Sequence, residues 1–266
     1  ELQERVGNFV AAWAAAFVLV AGVIIALGFY HRWILPQPAS DVARNEKSAG
    51  QFFSDFVQTF VQFFRKPKIA VLIAFILLYR FGEAQLLSVA NLFLLDPHNN
   101  GGLGLTDKEY GKIYGIIGVT ALLCGGLLGG FLISRNGLKF WLWPMLFAIH
   151  LPDAVFIWLA YTQPQNLHVI GAAVAVEQLG YGFGFTAFML YLIYIARGEH
   201  ATAHYAICTG FMALGLRLPG AWSGWLQEHI GYQHFFIWVI LATIPSFIVA
   251  LFIPLDAEFG KRTKTN

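Results

Sequence analysis

Charge is what this sequence has least of. Only 12% of its 266 residues are Asp, Glu, Lys or Arg, against about 25% in an ordinary soluble domain. A chain so poor in charge cannot cover a water-facing surface, which excludes a soluble globular protein. Cysteine is almost missing. Cys124 and Cys208 both lie in apolar runs, so a disulfide framework is excluded and both read as small packing residues. The net charge of +2 is too small to hold nucleic acid. No serine–histidine–acid or paired-cysteine arrangement emerges. His200 and His204 stand four apart in "EHATAH", but the order is not that of a zinc-protease HExxH helix. Neither a metal, a cofactor nor an enzyme is expected.

What fills the chain instead is apolar length: 58% of residues are hydrophobic and the mean hydropathy is +0.62. A hydrocarbon core about 30 Å thick takes roughly 20 helical residues. That criterion predicts about seven spans, at Phe9–Phe29, Lys68–Leu95, Gly111–Ile133, Phe140–Ala160, His168–Ala196, His204–Leu226 and Phe235–Leu255. The fold class is therefore all-α, a polytopic membrane helix bundle. The first run is too long for a signal-peptide core, and an opening Glu1 in place of Met reads as a chain whose natural start is absent.

Basic residues fall on one side of this arrangement. Arg32, Arg44, Lys47, Arg65, Lys66, Lys68, Arg135, Lys139, Arg197, Lys261, Arg262 and Lys264 fall in one set of connections, against only Arg5, Lys108 and Lys112 in the other. The positive-inside rule then places the C-terminus in the cytoplasm. The long inner connection holds "GQFFSDFVQTFVQFFRK", where Phe53, Phe56, Val57, Phe60, Val61 and Phe64 share one face. It reads either as an amphipathic helix on the membrane surface, ending at Arg65 and Lys66 near anionic lipid, or as a helix packed on protein. The expected organisation is a helix at 1–30, a linker at 31–67 and a six-helix half at 68–266.

At the outer side, Thr106 and Glu109 form a capping box for the third span. That span carries "CGGLLGG", with Gly125/Gly129 and Gly126/Gly130 four apart, the spacing of closely approaching membrane helices.

Against this apolar background stand Arg80, Glu83, Asp153, Glu177 and Arg217. A charge at a helix centre costs roughly 2.5–3.5 kcal/mol on insertion scales, and such residues mark substrate or ion paths or pair with one another. Arg80 and Glu83, three apart, share a helix face, with Gln85 on the same helix. They form either a structural ion pair or part of a wet path. Glu177 and Gln178 open "EQLGYGFG", where Tyr181 is interleaved with Gly180, Gly182 and Gly184. Alternating glycines weaken a helix by about 1 kcal/mol each, so a softened helix beside a carboxylate is expected. Asp153, after Pro152 and three residues from His150, reads either as a proton-relay pair or as a hydrogen-bonded cluster at a kink.

The turn "GGFLISRNGLKF" resembles the loop signature of the major facilitator superfamily. Gly130, Arg135, Gly137 and Lys139 fit it, while Ser134 replaces the expected acid. More specifically, "YRFGEAQ", "VEQLGYGFGFTAFMLYL", "ATAHYAICTGFMALG" and "SGWLQEHIGY" resemble the AmpG-like muropeptide permeases. The family's basic residue after glycine is here Leu216, with Arg217 one place later, a rotation of about 100° on a helix.

The resemblance implies a twelve-helix transporter of two halves with a path between them. This chain would hold one preceding helix and the C-terminal half, and its N-terminal half would be missing. It implies proton-coupled import of an amino-sugar or peptide-bearing saccharide through a bacterial inner membrane, with membrane lipid and protons as the other partners. Glu83 and Glu177 would serve proton coupling or substrate hydroxyls, Arg80 would set the pKa of Glu83 or hold a substrate carboxylate, and Gln178 and Tyr181 would line the sugar path. Gly126, Gly130, Arg135, Gly137 and Lys139 would serve helix packing and the gating loop. Another sugar, an acyl-CoA-like anion or a siderophore fragment is the alternative cargo. A membrane acyltransferase lacks its nucleophile, and a retinal protein lacks a lysine in the last span.

Overall fold

The computed structural model describes residues 9–36 and 49–262, so Arg5, Arg44, Lys47 and Lys264 lie outside the described residues. Contacts divide the chain into one unit ending at Ser54 and a second beginning at Asp55.

The first unit holds α1 (Phe9–Ile34), apolar on every side except for His31 and Arg32 in its last turn. A helix without a polar face has no place to meet water. The unit boundary falls inside α2 (Ala49–Phe64), ahead of the expected linker end at 67. The reason lies in the last turns of α2. Phe63, absent from the expected apolar stripe, is fully buried, stacks on Phe211 and meets the tilted ring of His204. The Thr59 carbonyl lies 3.3 Å from His204 Nε2. Phe56, Phe60 and Phe64 stay exposed. Of the two readings, the packing on protein is made by one side of this helix, and the other side is exposed.

The second unit continues with α3 (Ile69–Leu78), α4 (Phe81–Leu95), α5 (Asp107–Tyr110), a π-helical segment (Gly111–Gly118) and α6 (Val119–Asn136). There follow α7 (Leu138–His150), α8 (Ala154–Thr162), α9 (Leu167–Ala196), α10 (Ala201–Ala242) and α11 (Ile244–Ala250). Thr106 caps α5 as expected: its hydroxyl accepts from the Glu109 N–H, and the Glu109 carboxylate accepts from the Thr106 N–H at 2.9 Å. We expect Thr106→Ala to lower stability by about 1 kcal/mol, read as a small fall in the melting temperature of detergent-solubilised protein.

Among the described residues, six stretches are long and apolar enough to cross a membrane, and the last, Ala201–Ala250, is 50 residues long. That length makes two crossings. Gly231, at φ 75° and ψ 164°, breaks the helix, and Cys208 and Val249 belong to one apolar cluster while Phe235 between them belongs to another. Seven crossings result, in a multi-pass integral membrane protein.

The basic end is tied together by backbone and cation contacts. Lys66 Nζ donates to the carbonyls of Ile195 and Arg197, at 2.6 and 2.9 Å, closing the C-terminus of α9. Partial burial pulls the Lys66 ammonium below its ordinary pKa. The α6–α7 turn needs Gly137, at φ 87°, and is held by the tail. Leu138 N–H donates to the Phe259 carbonyl and Arg262 N–H to that of Ser134, each at 2.8 Å. Arg135 lies over the Phe131 ring at 5.7 Å, and Lys139 is exposed.

Helices α6, α7 and α9 meet through glycine. A Cβ on Gly125 would collide with the Leu179 carbonyl, one on Gly182 with the Leu122 carbonyl, and one on Gly180 with the Ala148 carbonyl. Two expectations are corrected here. The alternating glycines do not soften α9, which is unbroken from Leu167 to Ala196. Residues 180 and 184 fall on the face toward α7 and residue 182 on the face toward α6, so both faces approach a neighbour closely. Gly125 and Gly129 form the packed pair; Gly126 is only loosely approached and Gly130 has open space around it. One residue along a helix turns the side chain by about 100°, which carries the second pair off the seam. Cys124 is exposed, contrary to the packing role expected of it, while Cys208 is buried.

Candidate functional site: a polar layer at mid-depth

Four passes of the second unit change clusters partway along. Residues 72–79 join one apolar cluster and residues 86–94 the other; the same switch separates 138–149 from 156–160, 174 from 187, and 239 from 249. Between them, at the switch, lie the buried polar groups: Arg80, Glu83 and Gln85; His150 and Asp153; Glu177 and Gln178; Thr243 and Ser246. Arg80, Asp153 and Glu177 stand near the middle of spans Ile69–Leu95, Leu138–Thr162 and Leu167–Ala196. The chain therefore builds one polar layer at mid-depth between two apolar cores.

Helices break at this layer. Arg80 has φ −110° and ψ 17°, which separates α3 from α4 inside the span expected to be continuous over 68–95. Gly82 lets the start of α4 lie against Val239 and Thr243. Leu151–Asp153 is a 3₁₀ turn between α7 and α8, with Pro152 unable to continue the α-helical ladder. Thr243 separates α10 from α11. Among the described residues, α9 passes through without interruption, and so does the first crossing of α10, whose Gly215 and Gly220 lie against residues 77 and 88 on either side of the layer.

Arg80 is the hub. Its Nε donates to Glu83 Oε2 at 2.7 Å and its Nη2 to Oε1 at 3.2 Å. Nη2 also donates to the Tyr181 hydroxyl at 2.8 Å. The guanidinium lies 4.8 Å from the Phe185 ring centroid and 5.3 Å from that of Tyr181, a cation–π arrangement that strengthens when desolvated. Glu83 is fully buried, in the first turn of α4, where the helix dipole favours an anion.

Beside this pair, Gln178 Nε2 donates to Glu177 Oε2 at 2.9 Å and to the Tyr114 hydroxyl at 3.2 Å. Tyr114 sits on the π-helical segment, a form often found at functional sites. Tyr110 stacks on it at 5.5 Å and donates to Asn91 Oδ1. Arg80, Glu83, Tyr181, Glu177, Gln178 and Tyr114 thus present two carboxylates, one guanidinium, an amide and two phenols at one level. Groups of that kind bind hydroxyls, amides and carboxylates, and can exchange protons.

Other expected residues go elsewhere. Gln85 donates to the Phe81 carbonyl and accepts from Trp238 Nε1 at 2.8 Å, extending the layer toward α10. His150 Nε2 lies 2.9 Å from Ser246 Oγ. Both Asp153 oxygens have no hydrogen-bond partner, so the His150–Asp153 hydrogen bond expected at that spacing is not made; the imidazole is drawn to α11 instead. Arg217 is exposed on α10 and joins neither the ion pair nor the tyrosines. Its one-place shift turns it away. Tyr114, Trp238 and Ser246 were not expected. Tyr110 and Tyr114, four apart in a glycine-punctuated run, were the available sign for the first.

No protein-family model matches the chain. Among curated proteins it is 30% identical over 202 residues to "Putative transporter AmpG 2" of Rickettsia prowazekii, covering 76% of this chain and 48% of the relative. It is 27% identical over 251 residues to "Anhydromuropeptide permease" of Escherichia coli K12, covering 94% of this chain and 48% of the relative. "Putative transporter AmpG 4" of Rickettsia conorii is 24% identical over 255 residues, covering 95% and 58%. The chain spans about half the length of the curated relatives it matches.

Proposed function

We propose that this chain, similar to AmpG-named transporters and to an anhydromuropeptide permease, is an AmpG-like permease of the major facilitator type and supplies the C-terminal half of a proton-coupled importer of cell-wall muropeptides. The observation that carries the reading is the buried polar layer at mid-depth, since facilitator-type transporters bind substrate near the bilayer midplane, between two halves. Residues 68–266 form the half, α1 precedes it, and residues 31–67 link the two.

Tyr181, Gln178 and Tyr114 receive sugar hydroxyls and amides. Arg80, already fixed by Glu83, meets a substrate carboxylate, and Glu177 exchanges the coupled proton. The basic end faces the cytoplasm by the positive-inside rule, with the exposed phenylalanines of α2 toward inner-leaflet lipid.

The test is uptake of labelled anhydromuropeptide into proteoliposomes holding the full-length protein, with and without an inward proton gradient. Gradient-driven accumulation is expected, and Glu177→Gln should reduce it at least about tenfold, the loss of a group acting in proton transfer being typically 10²–10⁴-fold, while leaving the melting temperature unchanged. Undiminished uptake by that variant removes Glu177 from the mechanism. No uptake by folded wild type transfers the same site to another sugar or organic anion.

A further inference from the structure

Asp153 has no role in the path just described, and its surroundings are unusual. Its side chain is buried to 1% exposure, and neither carboxyl oxygen has a hydrogen-bond partner. An ionised carboxylate in that condition costs far more than a neutral acid, because burial without pairing disfavours charge most of all. The groups around it add nothing to hold a negative charge. Glu177 from α9 and Glu83 from α4 act on it electrostatically, both as like charges, and Arg80 is already committed to Glu83. From α7 comes His150, turned to Ser246 of α11. Helix α8, Ala154–Thr162, contains no charged residue, and Arg217 of α10 is exposed.

Position makes the group a switch as well as an acid. Asp153 is the residue at which α8 begins, yet it makes no side-chain cap and has helical dihedrals, φ −55° and ψ −26°. A capping aspartate has extended dihedrals and accepts from the N–H two or three residues on. The residue can therefore take two states. In the observed one it continues the turn, with Pro152 seated against Gly180 of α9. In the other it is ionised and caps α8, which requires the backbone at 153 to move to the extended region and the Leu151–Asp153 turn to leave Gly180.

We infer that Asp153 is a proton-binding site in the wall of the bundle, separate from the cargo path, whose deprotonation re-forms the break between α7 and α8. The inference does not depend on the nature of the cargo.

It is tested without cargo, on full-length protein in liposomes, by infrared spectroscopy with carboxyl-¹³C aspartate and by hydrogen exchange. At neutral pH the carbonyl stretch of a protonated, isotope-shifted aspartic acid is expected. Asp153→Asn should remove it and Glu177→Gln should leave it. Raising the pH should abolish the band and, over the same range, speed amide exchange in residues 150–157 by about tenfold, the scale on which local opening is read. Asp153→Asn should keep slow, pH-independent exchange there. Absence of the band from wild type, or its survival in Asp153→Asn, overturns the site. Exchange at 150–157 that ignores pH in wild type overturns the switch, and this readout stands even if the variant does not fold.

Discussion

Arg80→Met is expected to unfold or deplete the protein, while Arg80→Met combined with Glu83→Gln recovers most of the loss. The pair is buried, bidentate and further held by Tyr181. Removing only the guanidinium leaves Glu83, at 0% exposure, as an uncompensated charge, and breaking a buried pair from one side typically costs 3–5 kcal/mol. Replacing both partners removes the stranded charge along with the attraction, so most of that penalty disappears. Thermal melts of the solubilised full-length protein, arranged as a double-mutant cycle, measure the coupling. A single variant as stable as wild type, or a double variant worse than the single, would show that the ion pair does not organise the layer. Transport should fail in both, because the double variant restores the fold and not the cation.

The second large effect is steric. Gly125→Val should destabilise the unit severely, whereas Gly130→Val, five residues further along the same helix, should be silent. A Cβ at 125 would stand against the Leu179 carbonyl and 2.9 Å from the Phe183 nitrogen, both backbone atoms that cannot turn aside. Overpacking costs typically 1–3 kcal/mol and more where nothing yields, and valine brings two further methyls. At 130 nothing lies within 4 Å. Equal melting temperatures for the two variants would mean that α6 and α9 do not meet through this seam.

Much of this was legible in the residues themselves. Apolar run length foretold the crossings, since a bilayer demands a fixed span, and the Thr106 cap followed from a local rule that needs no neighbours. The charged residues were visible for the same reason: Arg80, Glu83, Asp153 and Glu177 stand out where everything nearby is apolar. Their partners were not visible. Whether His150 reaches Asp153 or Ser246 depends on a helix 96 residues away, and whether Gly182 loosens a helix or admits a neighbour depends on Leu122 in α6. Periodicity also missed the breaks at Tyr79–Arg80 and Thr243, because neither carries the signature of a turn. Phe63 escaped the amphipathic stripe of α2 because one buried ring among exposed ones differs only in what lies opposite.

The three interruptions, at Arg80, Leu151–Asp153 and Thr243, share one level, and α9 and the first crossing of α10 run through it unbroken. Mechanically, those are masts among jointed struts. Rods jointed in a common plane bend there first and resist bending elsewhere, so displacement applied at one end of the unit is taken up at the plane of the buried charges. The same plane holds Arg80, Glu83, Glu177 and Tyr181, and a deformation too small to disturb either apolar core is enough to change their separation.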